Sequence, residues 1–470
     1  MQKIIGLFFL LVTVKIGAAQ SFGARMESAW NKFTQDEQLQ YGLAGICVMD
    51  ATTGRVVFER NSRVGMAPAS TQKVLTTIAA YEAFGNNFTY QTKLGYIGNI
   101  ANKKLTGDLV IEGSGDPTFG SWRYENTKPN SIYQQIAAAL QQKGIDSITG
   151  DFVGTDKGFD LNPIPDNWMW GDIGNYYGAG HWGLNWGENQ YDVFFKSGAS
   201  KGDATKVVDV DPEESIVGKL IHNEVATGTA NTGDGSVIYG APYSPFKLIQ
   251  GNISSNENRF KVSGSFSWAD MNCLTSIQIS LAKAGIKMGG KPIPTSAKVI
   301  LPAPLPLKGT VNYFLTLPSP TLDSIVYWFL KKSVNLYGEA LVRTIGLQKK
   351  GFGSTDKGLE WIDSFYRAKG LDTKAMHMTD GSGLGPTNRT TPMFFVQALR
   401  YAKDKPWFNG FYEALPLYNN MKLKSGTIHR TKCFAGYHGN YIVSFMVNNY
   451  NGSSSGLVDK MFKVLDELKK

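Results

Sequence analysis

Hydrophobic and polar positions follow different periods in successive parts of the chain. Early on, "LAGICVMDATTGRVVFERN" predicts two strands around a polar turn at Asp50–Gly54. The stretch "APASTQKVLTTIAAYEAFG" predicts a helix from about Ser70 to Phe84, because almost every position is small or apolar and Gly85 ends the run. From about residue 95 to residue 309, short runs rich in glycine and asparagine predict a β-rich region.

Helical spacing returns after residue 310. In "SPTLDSIVYWFLKK", Ser319 is the expected helix cap and Pro320 lies in the first turn. "NLYGEALVRTIGLQ" predicts a second helix, and "TTPMFFVQALRYA" predicts a third that starts at Thr391 and Pro392. Two strand-like runs, "MKLKSGTI" and "CFAGYHGNYIVSFMVNNY", then precede a final helix at about Leu457–Leu468.

This order of elements predicts an α/β (α+β) fold with a large insertion. We expect a short amphipathic helix at 24–37 and the early strands to belong with the C-terminal helices and strands. Both parts lack the glycine- and asparagine-rich short strands that dominate the middle of the chain. We therefore expect one discontinuous domain, formed by residues 20–95 and 310–470, which is interrupted by an inserted region at 96–309.

The N-terminus has the parts of a secretory signal peptide. Residues 1–19, "MQKIIGLFFLLVTVKIGAA", start with a positive charge, continue with an apolar stretch and end with small residues. No later apolar run reaches the roughly 18 residues that a spanning helix needs. We therefore expect an exported, periplasmic protein without a transmembrane anchor.

The net charge and the cysteine content limit which classes of function are expected. The net charge is +9, but the basic residues are scattered, so no nucleic-acid footprint is evident. The three cysteines, Cys47, Cys273 and Cys433, lie in apolar or strand-like surroundings and are expected to be buried structural thiols. No metal-ligand cluster or phosphate-binding loop is evident, so no metal and no cofactor are expected.

Ser70 and Lys73 are a candidate nucleophile and base. At positions i and i+3 of a helix they share a face, with Cβ atoms roughly 5–6 Å apart. A serine hydroxyl becomes a good nucleophile when a neighbour takes its proton, and a lysine can do so only as a neutral amine. Starting from a pKa of about 10.4, neutrality near pH 7 costs roughly 4 kcal/mol. Burial among the apolar residues that follow Lys73 would lower its pKa towards neutral pH.

The Ser-x-x-Lys pair alone is not specific. It also occurs at Ser244–Lys247, Ser280–Lys283 and Ser354–Lys357. Only Ser70 opens a nearly all-apolar helix, where the hydroxyl can face a cleft and the helix dipole favours a developing anion.

Two further motifs accompany this pair. Ser333-Val334-Asn335 falls between two predicted helices, where a hydroxyl can pass protons and an amide can hold both a lysine and a substrate. Lys424-Ser425-Gly426-Thr427 lies on a predicted strand: its hydroxyls suit a carboxylate, and Gly426 lets a substrate approach the backbone. Taken singly, Asn335 could be a helix cap and Lys424 a solvated edge-strand lysine, but three ordered motifs favour a catalytic site.

With these motifs the chain resembles the penicillin-recognising serine peptidases, whose signature is S-x-x-K, S-D-N and K-T-G. The spacing from Ser70 to Ser333 is 333 − 70 = 263 residues. This long gap is similar to that of the class C low-molecular-mass penicillin-binding proteins, the D-Ala-D-Ala carboxypeptidase/endopeptidase family of the penicillin-binding protein 4 type. "GDLVIEGSGDPTF" and "DGSGLGPTNRTTP" resemble further segments of that family. The resemblance implies a transpeptidase-like domain with two inserted subdomains. Val334 and Ser425 depart from the usual motif residues.

The resemblance implies how the first two motifs act. Ser70 would attack the carbonyl of the penultimate D-alanine of a peptidoglycan stem peptide, and Lys73 would be its general base. Ser333 would relay the proton to the leaving amine. Asn335 would bind the substrate amide and orient Lys73.

The third motif would bind the substrate's terminal carboxylate. The resemblance implies that Lys424 stabilises charge and that the hydroxyls of Ser425 and Thr427 hold the carboxylate, beside Gly426. The backbone N–H groups of Ser70 and Thr427 would form the oxyanion hole, in which each donor is worth about 3–4 kcal/mol.

The expected function is therefore that of an exported serine DD-peptidase, acting as carboxypeptidase, endopeptidase or both. Its expected partners are peptidoglycan stem peptides, with β-lactam antibiotics as covalent inhibitors and with no nucleic acid; no oligomeric state is indicated. Two alternatives stay open: a β-lactamase, which would need fast deacylation, and a non-catalytic cell-wall binding protein on the same fold.

Two other groups of residues have structural and functional interpretations. Asp380 and Ser382 could assist catalysis, but a glycine-rich loop held by side-chain hydrogen bonds explains them as well. The tryptophans of the middle region are expected to pack inside the insertion rather than to stack on sugars. They are Trp168, Trp170, Trp182 and Trp186.

Overall fold

The computed structural model describes residues 21–156, 158–212, 220–299 and 309–470. The signal peptide predicted at 1–19 lies outside the described residues. Within the described ranges, no helix is both long and apolar enough to cross a membrane.

The described part of the chain contains 21 strands and 11 α-helices. The strands are β1 (Leu43–Asp50), β2 (Val56–Arg60), β3 (Gln91–Ala101), β4 (Lys104–Gly113), β5 (Ser147–Ile148), β6 (Phe152–Asp156), β7 (Gln190–Lys196), β8 (Lys206–Asp211), β9 (Ile221–Thr227), β10 (Val237–Tyr239), β11 (Lys247–Ile253), β12 (Phe260–Ser265), β13 (Lys287–Met288), β14 (Pro292–Ile293), β15 (Asn312–Pro318), β16 (Met376–His377), β17 (Arg389–Thr390), β18 (Leu417–Tyr418), β19 (Met421–Ile428), β20 (Thr431–His438) and β21 (Tyr441–Asn448). The helices are α1 (Phe22–Thr34), α2 (Lys73–Phe84), α3 (Pro129–Gln142), α4 (Trp170–Ile173), α5 (Ala269–Lys283), α6 (Leu322–Lys331), α7 (Asn335–Lys350), α8 (Thr355–Ala368), α9 (Pro392–Lys403), α10 (Phe408–Ala414) and α11 (Ser454–Leu465).

A six-stranded antiparallel sheet joins the two ends of the chain. Its strand order is β18-β19-β20-β21-β1-β2, so the N-terminal strand pair lies beside the C-terminal hairpins. In the register of β1 and β21, Cys47 pairs with Ser444. The strands and turns expected on both sides of the insertion are therefore present, and they belong to one sheet.

Each face of this sheet is covered by helices. Side chains alternate between the faces along a strand, so Cys433 contributes to one core and Phe434 to the other. The core around Cys433 is formed with α2 and with helices α6 to α10, and the core around Phe434 with α1 and α11. The final helix thus packs on the sheet through Met461 and Leu465, as the spacing of its apolar residues predicts.

Two local predictions need correction. Ser70 lies in a 3₁₀ turn, Ala69–Gln72, and the α-helix begins only at Lys73. Ser319 is not the cap of α6: Thr321 is the N-cap residue, and the Ser319 hydroxyl accepts a hydrogen bond from the backbone N–H of Tyr90 at 2.9 Å. The tertiary contact prevails here because Ser319 follows directly on β15, where that strand runs beside β3.

The middle of the chain forms further β-sheets. A seven-stranded sheet has the path β13-β5-β4-β3-β15, with β6 paired to β4 and β14, and it packs against α3 and α5. Two three-stranded sheets, β10-β11-β9 and β12-β7-β8, share a small apolar core. Because β3 and β15 are paired antiparallel, the chain enters and leaves this region on adjacent strands. We propose that the insertion spans about residues 91–318, slightly wider than the predicted 96–309.

Candidate active site

The amine of Lys73 lies at the centre of the site. The side chain is completely buried at the first residue of α2. Its Nζ lies 2.9 Å from Ser70 Oγ, 2.6 Å from Asn335 Oδ1 and 2.7 Å from the backbone oxygen of Ser382. The structure therefore brings together the first two predicted motifs around one nitrogen atom.

These contacts suit a neutral amine. Carbonyl oxygens can only accept hydrogen bonds, so Asn335 and Ser382 take the two N–H groups of an uncharged Lys73. Its lone pair is then directed at the hydroxyl of Ser70. Burial, followed by the positive charge of Lys424, holds the pKa of Lys73 well below its ordinary value, against the attraction of nearby carboxylates. The arrangement can thus remove a proton from Ser70.

A glycine contact places Ser70 against strand β19. A Cβ atom at Gly426 would lie 2.5 Å from the backbone oxygen of Pro68 and 2.9 Å from the backbone nitrogen of Ser70. Any larger residue would therefore displace the strand from the 3₁₀ turn. This close approach brings the backbone on either side of Gly426, including Thr427, next to the candidate nucleophile.

The second motif occupies the turn between α6 and α7. Ser333 has φ 57°, a left-handed conformation that costs a non-glycine residue roughly 1–2 kcal/mol. It lines a cavity of about 200 Å³ together with Asn335. Among the described residues the Ser333 hydroxyl forms no hydrogen bond, so its contact with Lys73 stays a prediction. Strained backbone of this kind persists where surrounding structure holds it, often at functional sites.

The third motif supplies a buried lysine and two hydroxyls, of which that of Thr427 belongs to an exposed residue. Lys424 is 2% exposed and donates to the backbone oxygen of Ser425 at 2.8 Å. Burial, with the nearby charge of Lys432, lowers the pKa of Lys424 to about 7. The Ser425 hydroxyl donates to Tyr418, while Thr427 is exposed and its hydroxyl accepts a hydrogen bond from Lys432.

Asp380 organises the loop that supplies the carbonyl of Ser382. Its buried carboxylate accepts hydrogen bonds from the backbone N–H groups of Ser382, Gly383 and Gly385 and from the side chains of Asn388 and Trp168. Because these donors use both carboxylate oxygens, Asp380 holds the loop rather than facing the nucleophile. The glycine-rich sequence predicted such a loop, but it contained no signal that a backbone oxygen would contact Lys73.

The proposed insertion contacts the candidate catalytic residues directly. Asn335 Nδ2 donates to the backbone oxygen of Tyr177 at 2.7 Å, and Trp168 Nε1 donates to Asp380 at 3.1 Å. The hydroxyl of Tyr337, on α7, donates to the buried carboxylate of Glu188, which also pairs with Arg123. Of the four tryptophans, three are buried as expected, and Trp170 is 56% exposed, against that expectation.

The other Ser-x-x-Lys pairs have different surroundings. Ser354 is the N-cap residue of α8, and its hydroxyl accepts from the backbone N–H of Lys357 at 3.2 Å. Lys247 is buried, but its amine donates to the backbone oxygen of Ser265. In neither pair is the lysine side-chain amine hydrogen-bonded to the serine hydroxyl, so the structure distinguishes Ser70–Lys73 from these two pairs of the same spacing.

Metal and thiol chemistry have little support in the described part of the chain. No group of three or more histidine, cysteine or acidic side chains there is arranged to hold a metal ion. The three cysteines are free and buried. Burial raises the pKa of Cys47 and Cys433 to about 12, which disfavours the reactive thiolate.

A buried amine, a serine in a tight turn and a second Ser/Asn motif are the groups that a serine acyl-transfer site of the penicillin-recognising type requires. The chain belongs to the D-Ala-D-Ala carboxypeptidase 3 (S13) family, whose model matches residues 26–448. The predicted resemblance and the prediction of a serine-type D-Ala-D-Ala carboxypeptidase are therefore confirmed.

Individual relatives agree with this membership. The chain is 24% identical over 465 residues to a D-alanyl-D-alanine carboxypeptidase of Actinomadura sp. strain R39, covering 89% of this chain and 80% of the relative. It is also 24% identical over 450 residues to the D-alanyl-D-alanine carboxypeptidase DacB of Haemophilus influenzae, covering 89% and 87%.

The fold is similar to that of a solved protein. The crystal structure of penicillin-binding protein 4 from Haemophilus influenzae matches with a TM-score of 0.79 and 21% identity, covering 94% of this chain and 99% of that one. A second structure of that protein, in complex with a β-lactam, matches with a TM-score of 0.74, 21% identity and the same coverage. The predicted α/β (α+β) fold class with a β-rich insertion is confirmed.

Proposed function

We propose that this chain hydrolyses the peptide bond between the two terminal D-alanine residues of peptidoglycan stem peptides through an acyl-enzyme on Ser70. The proposal rests above all on the buried Lys73 amine, whose N–H groups face carbonyl oxygens and whose third contact is Ser70 Oγ. Family membership supports the substrate class. Hydrolysis of a D-alanyl cross-link to a diamino acid uses the same steps, and we propose it as an endopeptidase activity of the same site.

Acylation begins with the transfer of the Ser70 proton to Lys73 while the serine oxygen bonds to the carbonyl carbon of the penultimate D-alanine. The resulting oxyanion is stabilised by the backbone N–H groups of Ser70 and Thr427, where each donor contributes about 3–4 kcal/mol. When the tetrahedral intermediate collapses, Ser333 relays the proton from Lys73 to the leaving amine. Asn335 holds the lysine and retains one N–H for the substrate amide.

The third motif recognises the end of the substrate. Ser425 and Thr427 present hydroxyls to the terminal carboxylate, and the positive charge of Lys424 lies behind them. After the terminal residue has left, water attacks the acyl-enzyme and regenerates Ser70. β-Lactams would acylate the same serine and leave slowly.

The cellular location follows from the same substrate. Peptidoglycan lies outside the cytoplasmic membrane, so we propose that residues 1–19 direct export and that the enzyme acts in the periplasm. Loss of export after deletion of residues 1–19 would support this location, and unchanged export would contradict it.

Labelling with a fluorescent penicillin, together with D-alanine release from a peptide ending in D-Ala-D-Ala, tests the proposal. Wild type should keep the label and release D-alanine. Ser70→Ala should take up no label and lose activity by on the order of 10⁴–10⁶-fold. Ser280→Ala, in another Ser-x-x-Lys pair, is the matched control and should behave like wild type.

Two outcomes would contradict the proposal. Rapid loss of the label from wild type would indicate a β-lactamase. A wild-type protein that takes up no label and releases no D-alanine would indicate a non-catalytic cell-wall binding protein.

A further inference from the structure

Lys432 lies outside the three motifs but shares a sheet face with the third. In the register of β19 and β20, Lys432 is directly opposite Thr427, and Phe434 is opposite Ser425. Opposite residues of an antiparallel pair project from the same face, as do residues two apart on one strand. The ammonium of Lys432 is therefore on the same side of the sheet as the two hydroxyls that the proposed function assigns to the substrate carboxylate.

The amine of Lys432 is held beside one of these hydroxyls. Its Nζ donates to Thr427 Oγ1 at 2.8 Å and lies 5.3 Å from the centre of the Phe434 ring, which supports the half-buried side chain. Within the described part of the chain, Lys432 forms no ion pair with a carboxylate. The site therefore contains a positive charge whose counterion is absent from the described residues.

This contact determines how Thr427 can act. A hydroxyl has one hydrogen to donate, and the oxygen of Thr427 already accepts from Lys432. The Thr427 hydrogen is consequently free for an acceptor in the cleft. A chain from ammonium to hydroxyl to carboxylate strengthens each hydrogen bond, because the charge polarises the hydroxyl.

The buried lysine of the motif responds to the same charge. Lys432 contributes to the lowered pKa of Lys424, so the two amines repel each other across the strand pair. An anion bound at Ser425 and Thr427 would relieve that repulsion. These two positive charges thus favour the binding of a negative group at the two hydroxyls.

We propose that Lys432 is a specificity-determining residue that selects substrates with a free C-terminal carboxylate. Its ammonium would do so by polarising the hydroxyl of Thr427, which then donates to the carboxylate. This inference rests on the proposed function and adds a residue that the three motifs do not contain. It predicts a preference for a terminal carboxylate over a terminal amide that depends on Lys432.

The test compares two peptides that differ only at the C-terminus: one ends in D-Ala-D-Ala with a free carboxylate and the other in D-Ala-D-alaninamide. The measured quantity is the ratio of kcat/KM for the acid to kcat/KM for the amide. Lys432→Met keeps the apolar stem on Phe434 but removes the charge, and it should lower the ratio by about tenfold, mainly through KM for the acid. Lys432→Arg should retain most of the ratio.

Arg430 provides the matched control. It is an exposed cation in the turn of the same hairpin, so Arg430→Met removes an equal charge without removing the contact to Thr427. The ratio of kcat/KM for the acid to kcat/KM for the amide should stay within about twofold of wild type in Arg430→Met. Thermal unfolding of each variant establishes that it is folded. If Lys432→Met is not folded, Lys432→Gln is used in its place.

The outcomes separate this inference from the proposed function. If wild type cleaves the acid and Lys432→Met retains its ratio, Lys432 has no role in selecting the carboxylate, while the DD-peptidase activity stands. If Arg430→Met loses as much as Lys432→Met, general surface charge explains the effect and the inference is wrong. If wild type cleaves neither peptide, both proposals are wrong.

Discussion

Burial shifts the pKa of single ionisable residues near the candidate site away from its ordinary value. Lys73 is one example, and Glu339 on α7 is another. Glu339 is completely buried; one carboxylate oxygen accepts from the backbone N–H of Gly381 at 2.8 Å, and the other has no partner within the described residues. Burial, followed by repulsion from Asp380, raises the pKa of Glu339 well above its ordinary value. Burial thus favours the neutral form of Glu339 beneath the site.

The raised pKa of Glu339 leads to a prediction about how the protein's stability depends on pH. A carboxyl group with a raised pKa in the folded state contributes stability at low pH, which is lost as the pH rises through that folded-state pKa, by up to about 1.4 kcal/mol per pH unit. Glu339→Gln mimics the neutral acid and cannot ionise. We expect its melting temperature to equal that of wild type near pH 5 and to exceed it at alkaline pH. An unchanged difference between the two proteins from pH 5 to pH 9 would contradict this prediction.

At the level of elements, the site depends on how strand β19 meets the turn before α2. Gly426 is the contact point, and its neighbours on the strand carry the proposed carboxylate-binding hydroxyls. Ser70, in the 3₁₀ turn, faces the same contact. The geometry of the candidate site therefore depends on a close backbone approach that a single methyl group would prevent.

Gly426→Ala tests this contact. The new Cβ would overlap the backbone of Pro68 and Ser70, so the strand must move outwards. Displacement of reacting groups by about 1 Å can cost on the order of 10²-fold in rate, and overpacking costs about 1–3 kcal/mol in stability. We expect a loss of that order in penicillin acylation, measured by labelling rate. Gly65→Ala is the control, since its Cβ would meet only one atom, at 3.9 Å. Equal labelling rates for the two variants would show that the contact is unimportant.

For the whole molecule, the proposed insertion contributes contacts to the candidate active site. Trp168 donates a hydrogen bond to Asp380, which holds the loop that binds Lys73, and Tyr177 supplies the backbone oxygen that holds Asn335. We therefore expect the proposed insertion to position the candidate catalytic residues through these direct contacts.

Trp168→Phe tests this coupling. It removes the donor to Asp380 while keeping an aromatic ring, and hydrogen bonds to charged groups are worth about 1.5–3 kcal/mol. We expect kcat for D-alanine release to fall about tenfold, with KM little changed, because the substrate contacts remain. Trp170→Phe, at an exposed tryptophan two residues away, should leave both parameters unchanged. A similar effect of the two substitutions, or a change in KM alone, would contradict a positioning role.

Much of the site could be predicted from local sequence. Ser-x-x-Lys spacing places Ser70 and Lys73 on one face in either an α-helix or a 3₁₀ turn, so the pair was recognisable although the helix begins at Lys73. The cap at Thr391 was also correct, because the capping hydrogen bond to the Phe394 N–H joins residues close in sequence. The cap at Ser319 was wrong, because its hydroxyl bonds to Tyr90, far away in the chain.

The amino-acid sequence by itself determined the motifs, their order and the family. Only the tertiary structure decided that Ser382 supplies a backbone oxygen, that Trp168 and Tyr177 reach the catalytic residues, and that Lys432 lies beside Thr427. The physical reason is that spacing along the chain specifies hydrogen bonds within one element. Contacts between backbone groups and distant side chains depend instead on how sheets and helices pack, which no local pattern encodes.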